Sequence, residues 1–227
     1  MTTDCDIVIL STQDWDALPT RKHHWARKFA ARGNRVLYVE QQMHWLGWLV
    51  DLRRQFGRAW RWLSGPRPVS ERLWVFTLPL VLPFFQMSAL INALNNWLLA
   101  PVLRWALRRI GFKYIVLWAY TPHAAGLVGR LGEQFMVYEC VDEFSAARGL
   151  VRGETVVALE RQLLRVADRV IVTHPSLLRS KTVRDRRPAL VPNGADINHF
   201  ARAGAPGTQP AAAVAALPRP VVGFHGW

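Results

Sequence analysis

Clusters of ionisable residues, each placed just after a short apolar run, carry the chemistry this sequence can offer. Ser11-Thr12-Gln13-Asp14-Trp15-Asp16 leads into Thr20-Arg21-Lys22-His23-His24. Thr20 suits the cap of a helix, so the basic group stands at a helix N-terminus, where cations oppose the macrodipole and repel one another. A bound anion relieves both costs, making Arg21 and Lys22 candidates for holding a phosphate; otherwise they point into water. Asp14 can hydrogen-bond a substrate hydroxyl. A second cluster is Tyr120-Thr121-Pro122-His123. His123 titrates near neutrality when unperturbed and suits acid–base work, or it is the polar start of a helix through Ala124 to Leu131. The third is Glu139-Cys140-Val141-Asp142-Glu143. Acids gathered there, in a chain poor in acids, suit hydroxyl binding or a base. Asp142 is the first choice because Glu139 falls within the strand end, although Asp142 could equally cap the segment from Phe144.

Other patterns exclude chemistry. Asp4-Cys5-Asp6 and Asp14-Trp15-Asp16 have the spacing of metal-binding carboxylate pairs, but such pairs are common by chance, and no metal site is expected. Gly126, Gly129 and Gly132 lie inside a helix-like stretch, not in a strand-to-helix turn, so they make no dinucleotide fingerprint. P-loop, nucleophile-elbow and zinc motifs are absent, and no cofactor is expected. Cys5 and Cys140 have no metal-ligand spacing and no secretory context for a disulfide.

Positioning these loops falls to a series of apolar strands. Asp6–Leu10, Asn34–Val39, Leu73–Leu78, Tyr114–Trp118, Phe135–Tyr138, Val170–Thr173 and Ala189–Val191 alternate with helix-compatible stretches. Continuous apolar strands between helices predict an α/β fold, a Rossmann-like doubly wound parallel sheet. Helices are predicted from Thr20 to Gly33, from about Ser88 to Ile110 and from about Glu154 to Ala167, the last with Val156, Leu159, Leu163 and Val166 on one face. Residues 1–200 read as this domain and 201–220 as an Ala/Pro/Gly linker. Residues 221–227 read as the first strand of a further domain, which makes the chain the front part of a two-domain protein.

The 227 residues carry 29 Lys+Arg against 16 Asp+Glu, a formal charge of +13, with 51% hydrophobic types and 11 Trp. That composition excludes a disordered chain and points to an anionic partner. The opening residues have no basic leader and no cleavage signal, the mark of a cytoplasmic protein. Within an insertion at about 44–72, Trp45, Trp48, Trp60 and Trp62 alternate with Arg53, Arg54, Arg58 and Arg61. This is the composition of a helix lying in a bilayer interface, where each arginine gains about 1 kcal/mol against anionic lipid. The competing reading packs the aromatics onto the sheet. Leu73 to Leu103 contains no charged residue, but Pro79, Pro83, Asn92, Asn95, Asn96 and Pro101 argue against a span and allow only shallow insertion. Nucleic acid is not an expected partner, since no recognition motif accompanies the charge.

Several of these segments together resemble the bacterial retaining glycosyltransferases built from two Rossmann domains, the GT-B class, in the large family four group. They are the opening strand with Ser11 to Asp16 and Arg21-Lys22, Tyr138 to Ser145, Ala167 to Thr173, and Val191-Pro192-Asn193-Gly194-Ala195-Asp196 with Phe200. The resemblance implies the N-terminal, acceptor-binding half of such an enzyme. Family members place a histidine at the end of strand four, where this chain has Tyr120, with His123 three positions on. The implied roles are catalytic for Asp142, His123 and Tyr120, and acceptor binding for Asp14, Trp15, Arg21, Lys22 and Glu143. Gly223 and Gly226 match the glycine turn that opens the donor-binding domain. The implied partners are a nucleotide-sugar donor held by that other domain and a lipid-linked or glycan acceptor; the Trp/Arg insertion is expected to hold the enzyme to the inner face of the plasma membrane. A chain ending at Trp227 is expected to be inactive by itself. Alternatives are a non-catalytic membrane- or glycan-binding module and a sugar-nucleotide epimerase.

Overall fold

The computed structural model of the chain describes residues 4–43, 52–146, 149–183 and 187–223, and for 52–56 the backbone alone. It divides into two compact units, Met1–Pro192 and Asn193–Trp227. The strands of the first unit are Asp6–Leu10 (β1), Arg35–Val39 (β2), Arg67–Ser70 (β3), Leu73–Phe76 (β4), Ile115–Ala119 (β5), Phe135–Cys140 (β6), Arg169–Val172 (β7) and Ala189–Leu190 (β8). Its helices are Arg21–Ala31 (α1), Leu52–Ser64 (α2), Ala89–Arg109 (α3), Gly153–Val166 (α4) and Pro175–Ser180 (α5). The strands form one eight-stranded sheet in the order β3-β4-β2-β1-β5-β6-β7-β8. Every neighbouring pair is parallel except β3 with β4. The chain winds outward in both directions from β1, and the reversal between β1 and β5 opens a crevice beyond their carboxyl ends. This is the doubly wound α/β class expected from the sequence.

Alternation along β1 explains the two layers. Val8 and Leu10 enter one core, with Leu37, Leu117, Leu103 of α3 and Leu163 of α4. Ile7 and Ile9 enter the other, with Val36, Tyr38, Trp118 and Ala26 of α1. Both faces are covered, so the whole strand is buried and reads as an unbroken apolar run. Each fully buried Leu, Ile or Phe contributes about 1.5–3 kcal/mol relative to exposure. A strand missing from the sequence reading is β3. Its residues, Arg67-Pro68-Val69-Ser70, are mostly exposed and antiparallel at the sheet edge, so neither burial nor alternation marks them.

Helix α1 begins at Thr20 and ends before Gly33, whose φ of +91° suits glycine. Helix α3 begins after Ser88, whose hydroxyl accepts from Ile91 N at 3.4 Å. The expected helix through Leu131 is shorter, a 3₁₀ turn over Pro122–Leu127. Gly126 in that turn packs against α3, and a Cβ there would sit 2.8 Å from Asn96 Nδ2. Among the described residues no helix is long and apolar enough to cross a membrane.

The unit Asn193–Trp227 holds two short helices, Ile197–Ala201 (α6) and Ala212–Ala215 (α7), and its described residues are nearly all exposed. Gly223 is exposed there; Gly226 lies outside the described residues, as do Trp45 and Trp48. The side chains of Arg53 and Arg54 also fall outside them.

Candidate functional site

The wall of the crevice made by α1 starts from an unusual cap. The Thr20 N–H donates to His23 Nδ1 at 3.0 Å, so the histidine supplies what a glutamate normally would. With Nδ1 accepting, Nε2 carries the proton and donates to Asp14 O at 3.1 Å. Burial lowers the His23 pKa, and the ring packs against Trp15 and Tyr38 with centroids 5.4 and 5.1 Å away. His23 therefore stays neutral and holds the β1–α1 loop in place. Arg21 pairs through Nε with Glu139 Oε1, and its Nη1 donates to Pro192 O at 2.8 Å. The other Glu139 oxygen accepts from Trp118 Nε1 at 2.7 Å. Glu139 is completely buried, so both its oxygens need these donors.

Lys22 lies between these residues with a different fate. Its residue is 8% exposed and its ammonium stands 5.4 Å from the centre of the Tyr120 ring. That amine makes no hydrogen bond among the described residues. Burial lowers its pKa, against the pull of Asp142 and Glu139. Tyr120 is fully buried, and its hydroxyl also finds no hydrogen-bond partner among the described residues. Burial, with the Glu139 charge nearby, raises the phenol well above its usual pKa and keeps it protonated. Asp142 is exposed at the same strand end.

Across the sheet the carboxyl ends of β1 and β2 frame a cavity of about 190 Å³. Ser11, Thr12, Gln41 and Thr121 supply polar groups to it; Leu78, Phe85 and Phe144 supply apolar ones. His123 lines the cavity, buried edge-on against Phe85 at 5.2 Å, and its Nδ1 has no hydrogen-bond partner among the described residues. Burial alone pushes its pKa down to about 4. The imidazole is neutral at physiological pH, able to accept a proton or a hydrogen bond but not to carry a standing charge. Its backbone is fixed from α3, where Asn92 and Asn96 both donate to the His123 carbonyl, at 3.2 and 2.8 Å.

Several residues singled out in the sequence are engaged elsewhere. Trp15 is not an open acceptor contact; it is buried against Tyr38 and His23, with Arg27 over its ring at 5.0 Å. Arg58 does not face lipid. It is buried under the β1–α1 loop, where Nη1 reaches Asp14 Oδ1 at 2.6 Å, Nη2 reaches Gln41 O at 2.9 Å, and Glu40 lies 3.9 Å away. A guanidinium can be buried when carboxylates and a carbonyl meet its fork. Asp14 is thereby drawn into an ion pair. Trp62, one helical turn after Arg58, packs on the core, and Arg61 meets Asp16 at 3.4 Å. Of the described tryptophans read as membrane contacts, Trp60 alone turns outward, 74% exposed.

Glu143 is likewise taken, by Lys181 Nζ at 2.9 and 2.8 Å. The same ammonium reaches Glu160 Oε2 at 2.7 Å, while Tyr138 donates to Glu160 Oε1 at 2.7 Å. Burial and the Glu160 charge push the neighbouring Cys140 thiol up to about 12, so it remains protonated; both cysteines are free. The sequence reading missed Glu139 as an ion-pair partner and missed the Lys181–Glu160 pair altogether. Strand alternation would have separated Glu139 from Tyr138 and Cys140, but nothing local reveals a partner on another element. The structure gathers Lys22, Tyr120 and Asp142 at the ends of β5 and β6, and sets His123 on the opposite side of the sheet.

No protein-family model and no curated protein sequence matches the chain. Among solved structures it is similar to a sucrose-phosphate synthase from Thermosynechococcus elongatus, with a TM-score of 0.54 and 14% identity over 86% of this chain and 93% of that one. It is also similar to the Phytolacca americana UGT2 complexed with UDP-2-fluoroglucose and pterostilbene, with a TM-score of 0.45 and 12% identity over 86% of this chain and 55% of that one. At this identity the first likeness establishes a shared fold, that of one Rossmann-like half of a GT-B protein.

Proposed function

We propose that the chain is the acceptor-binding lobe of a glycosyltransferase. The enzyme moves a sugar from a nucleotide-sugar donor, held by a second lobe, onto a lipid-linked or polysaccharide acceptor. The observation that carries the reading is Lys22: a residue only 8% exposed whose amine has no hydrogen-bond partner among the described residues and stands over the Tyr120 ring at the carboxyl ends of β1 and β5. An ammonium stripped of most of its hydration is costly, and an acceptor phosphate offsets that cost. In this reading Lys22 binds the phosphate, and Arg21 orients the site by fixing Glu139. The mixed lining of the cavity suits a sugar ring, with Ser11 and Thr121 for hydroxyls and Phe85 for a C–H face. The neutral His123, which lines that cavity, is the group available to accept a proton or hydrogen bond from the acceptor hydroxyl, while Asp142 and the protonated Tyr120 stand beside Lys22 at the phosphate. The protein works at the inner face of the plasma membrane, with Trp60 of α2 as a contact.

Titration with glucose and glucose 1-phosphate tests the phosphate role. Lys22→Met is expected to weaken the phosphorylated probe about tenfold, the loss of one charge-assisted hydrogen bond, and to leave glucose binding unchanged. Equal affinity of wild type and variant for the phosphorylated probe overturns it. The reaction is tested with the donor-binding lobe present, by following sugar transfer from a nucleotide-sugar panel onto membrane glycolipids. No transfer from any donor removes the enzyme reading.

A further inference from the structure

Helix α3 is inverted over its first half. Its buried side carries Asn92, Asn95 and Asn96, while its outer side presents Leu90, Leu94, Trp97, Leu98 and Trp105. The asparagines face inward because each holds backbone. Asn92 and Asn96 donate to the His123 carbonyl, and Asn95 brackets Leu82 by accepting from its N–H at 2.9 Å and donating to its C=O at 3.0 Å. Among the described residues only Trp105 of the outer side has ring partners, Phe76 and Arg109; nothing comparable accounts for Leu90, Leu94, Trp97 and Leu98. Leu90 is 80% exposed and Trp97 60%, and the outward residues recur at the three-and-four spacing of one helical face. An apolar stripe along a helix of 21 residues, about 30 Å, is far from the scattered leucines of an ordinary surface.

The charge around the stripe selects what covers it. Exposed Arg104, Arg108 and Arg109 occupy its C-terminal end, and no Asp or Glu occurs from Arg72 to Gly132. Tryptophan and leucine beside arginine, with no acid, match the boundary between acyl chains and anionic headgroups. A second copy of the chain would bring another strongly cationic body to the same place, at a formal charge of +13 each. Leu99, Leu103 and Leu107 anchor the inner side of α3 to the sheet, so the helix can lie along a surface but not enter it end-on.

We propose that the outer face of α3 lies in the interface of an anionic lipid bilayer and is the main membrane contact of the protein. The inference rests on the membrane part of the functional reading and replaces α2 with α3 as its principal surface. Sedimentation of the chain with phosphatidylcholine–phosphatidylglycerol vesicles, and with phosphatidylcholine alone, tests it without reference to sugar transfer. Wild type should bind the mixed vesicles and lose most of that binding in high salt. A Leu94→Glu/Trp97→Glu variant, its fold checked by circular dichroism, should partition at least about tenfold less. Arg108→Glu/Arg109→Glu should lose the preference for the anionic vesicles, and Trp60→Glu should lose about threefold or less. Binding abolished by Trp60→Glu but not by the α3 variants would sink the α3 assignment and leave the membrane reading standing. Absence of vesicle binding by wild type would overturn both, and so would a concentration-dependent dimer that the α3 variants dissociate.

Discussion

Two lysines near the carboxyl end of β6 are buried almost equally, Lys22 of α1 at 8% exposure and Lys181, just after α5, at 4%. Lys181 sits between β6, α4 and α5 with its ammonium bonded to Glu143 and Glu160. Burial alone lowers its pKa, yet those two carboxylates outweigh it and the net shift is upward. Lys22 has an aromatic ring and more distant acids instead of hydrogen-bonded partners, and burial wins. Burial therefore does not define a buried cation's role; the partners do. A fully paired cation is part of the framework, whereas an unpaired one at a sheet's topological switch is poised for a ligand.

Removing Lys181 should produce the largest effect. Lys181→Met leaves Glu160 buried and uncompensated, and the expected loss is about 3 kcal/mol in urea unfolding, less than for a fully buried pair because Glu143 keeps part of its hydration. A loss below about 1 kcal/mol would show that the pair does not anchor α4 and α5 to the sheet. The Lys181 contribution is complete below pH 10.5 and fades only as pH rises through the raised folded value.

His123 gives the next effect, with the opposite sign in pH. Its unfolded form takes a proton near pH 6.5, while the folded form holds out to about 4. Stability is intact above 6.5 and falls as pH drops toward 4, by about 2 kcal/mol at pH 5. Urea midpoints of wild type and His123→Gln across this range isolate the contribution, since other carboxylates titrate alike in both. Parallel curves would mean that the imidazole is solvated in the folded state.

Lys22→Met is expected to be the smallest perturbation and to run the other way. Deleting an unpaired buried amine should leave stability within about 1 kcal/mol of wild type, or raise it. A loss matching that of Lys181→Met would erase the contrast and make Lys22 a framework residue. Thermal melts of the two variants side by side decide the matter.

Most of the sheet was legible because a parallel strand covered on both faces must be apolar at every position, as in Ile7-Val8-Ile9-Leu10. Helix boundaries at Thr20, Gly33 and Ser88 were legible for a similar reason: caps are local. Edge strand β3 was not, because solvent on one side removes the pattern that burial imposes. The insertion was legible in composition but not in direction. Arg58 and Trp60 are two residues apart on α2, yet one is buried against Asp14 and the other faces out.

Alone, then, the sequence determined the α/β class, most strands of a doubly wound sheet, and which loops gather at its carboxyl edge. Those properties follow from periodicity and chain chirality, which act over a few residues at a time. Tertiary structure decided which of the charged residues in those loops are spoken for. Glu139 goes to Arg21, Asp14 to Arg58, Glu143 to Lys181, and Lys22 to none of the described carboxylates. Pairing depends on distances between elements far apart in the chain, and on how much water is excluded between them, neither of which is written in local spacing.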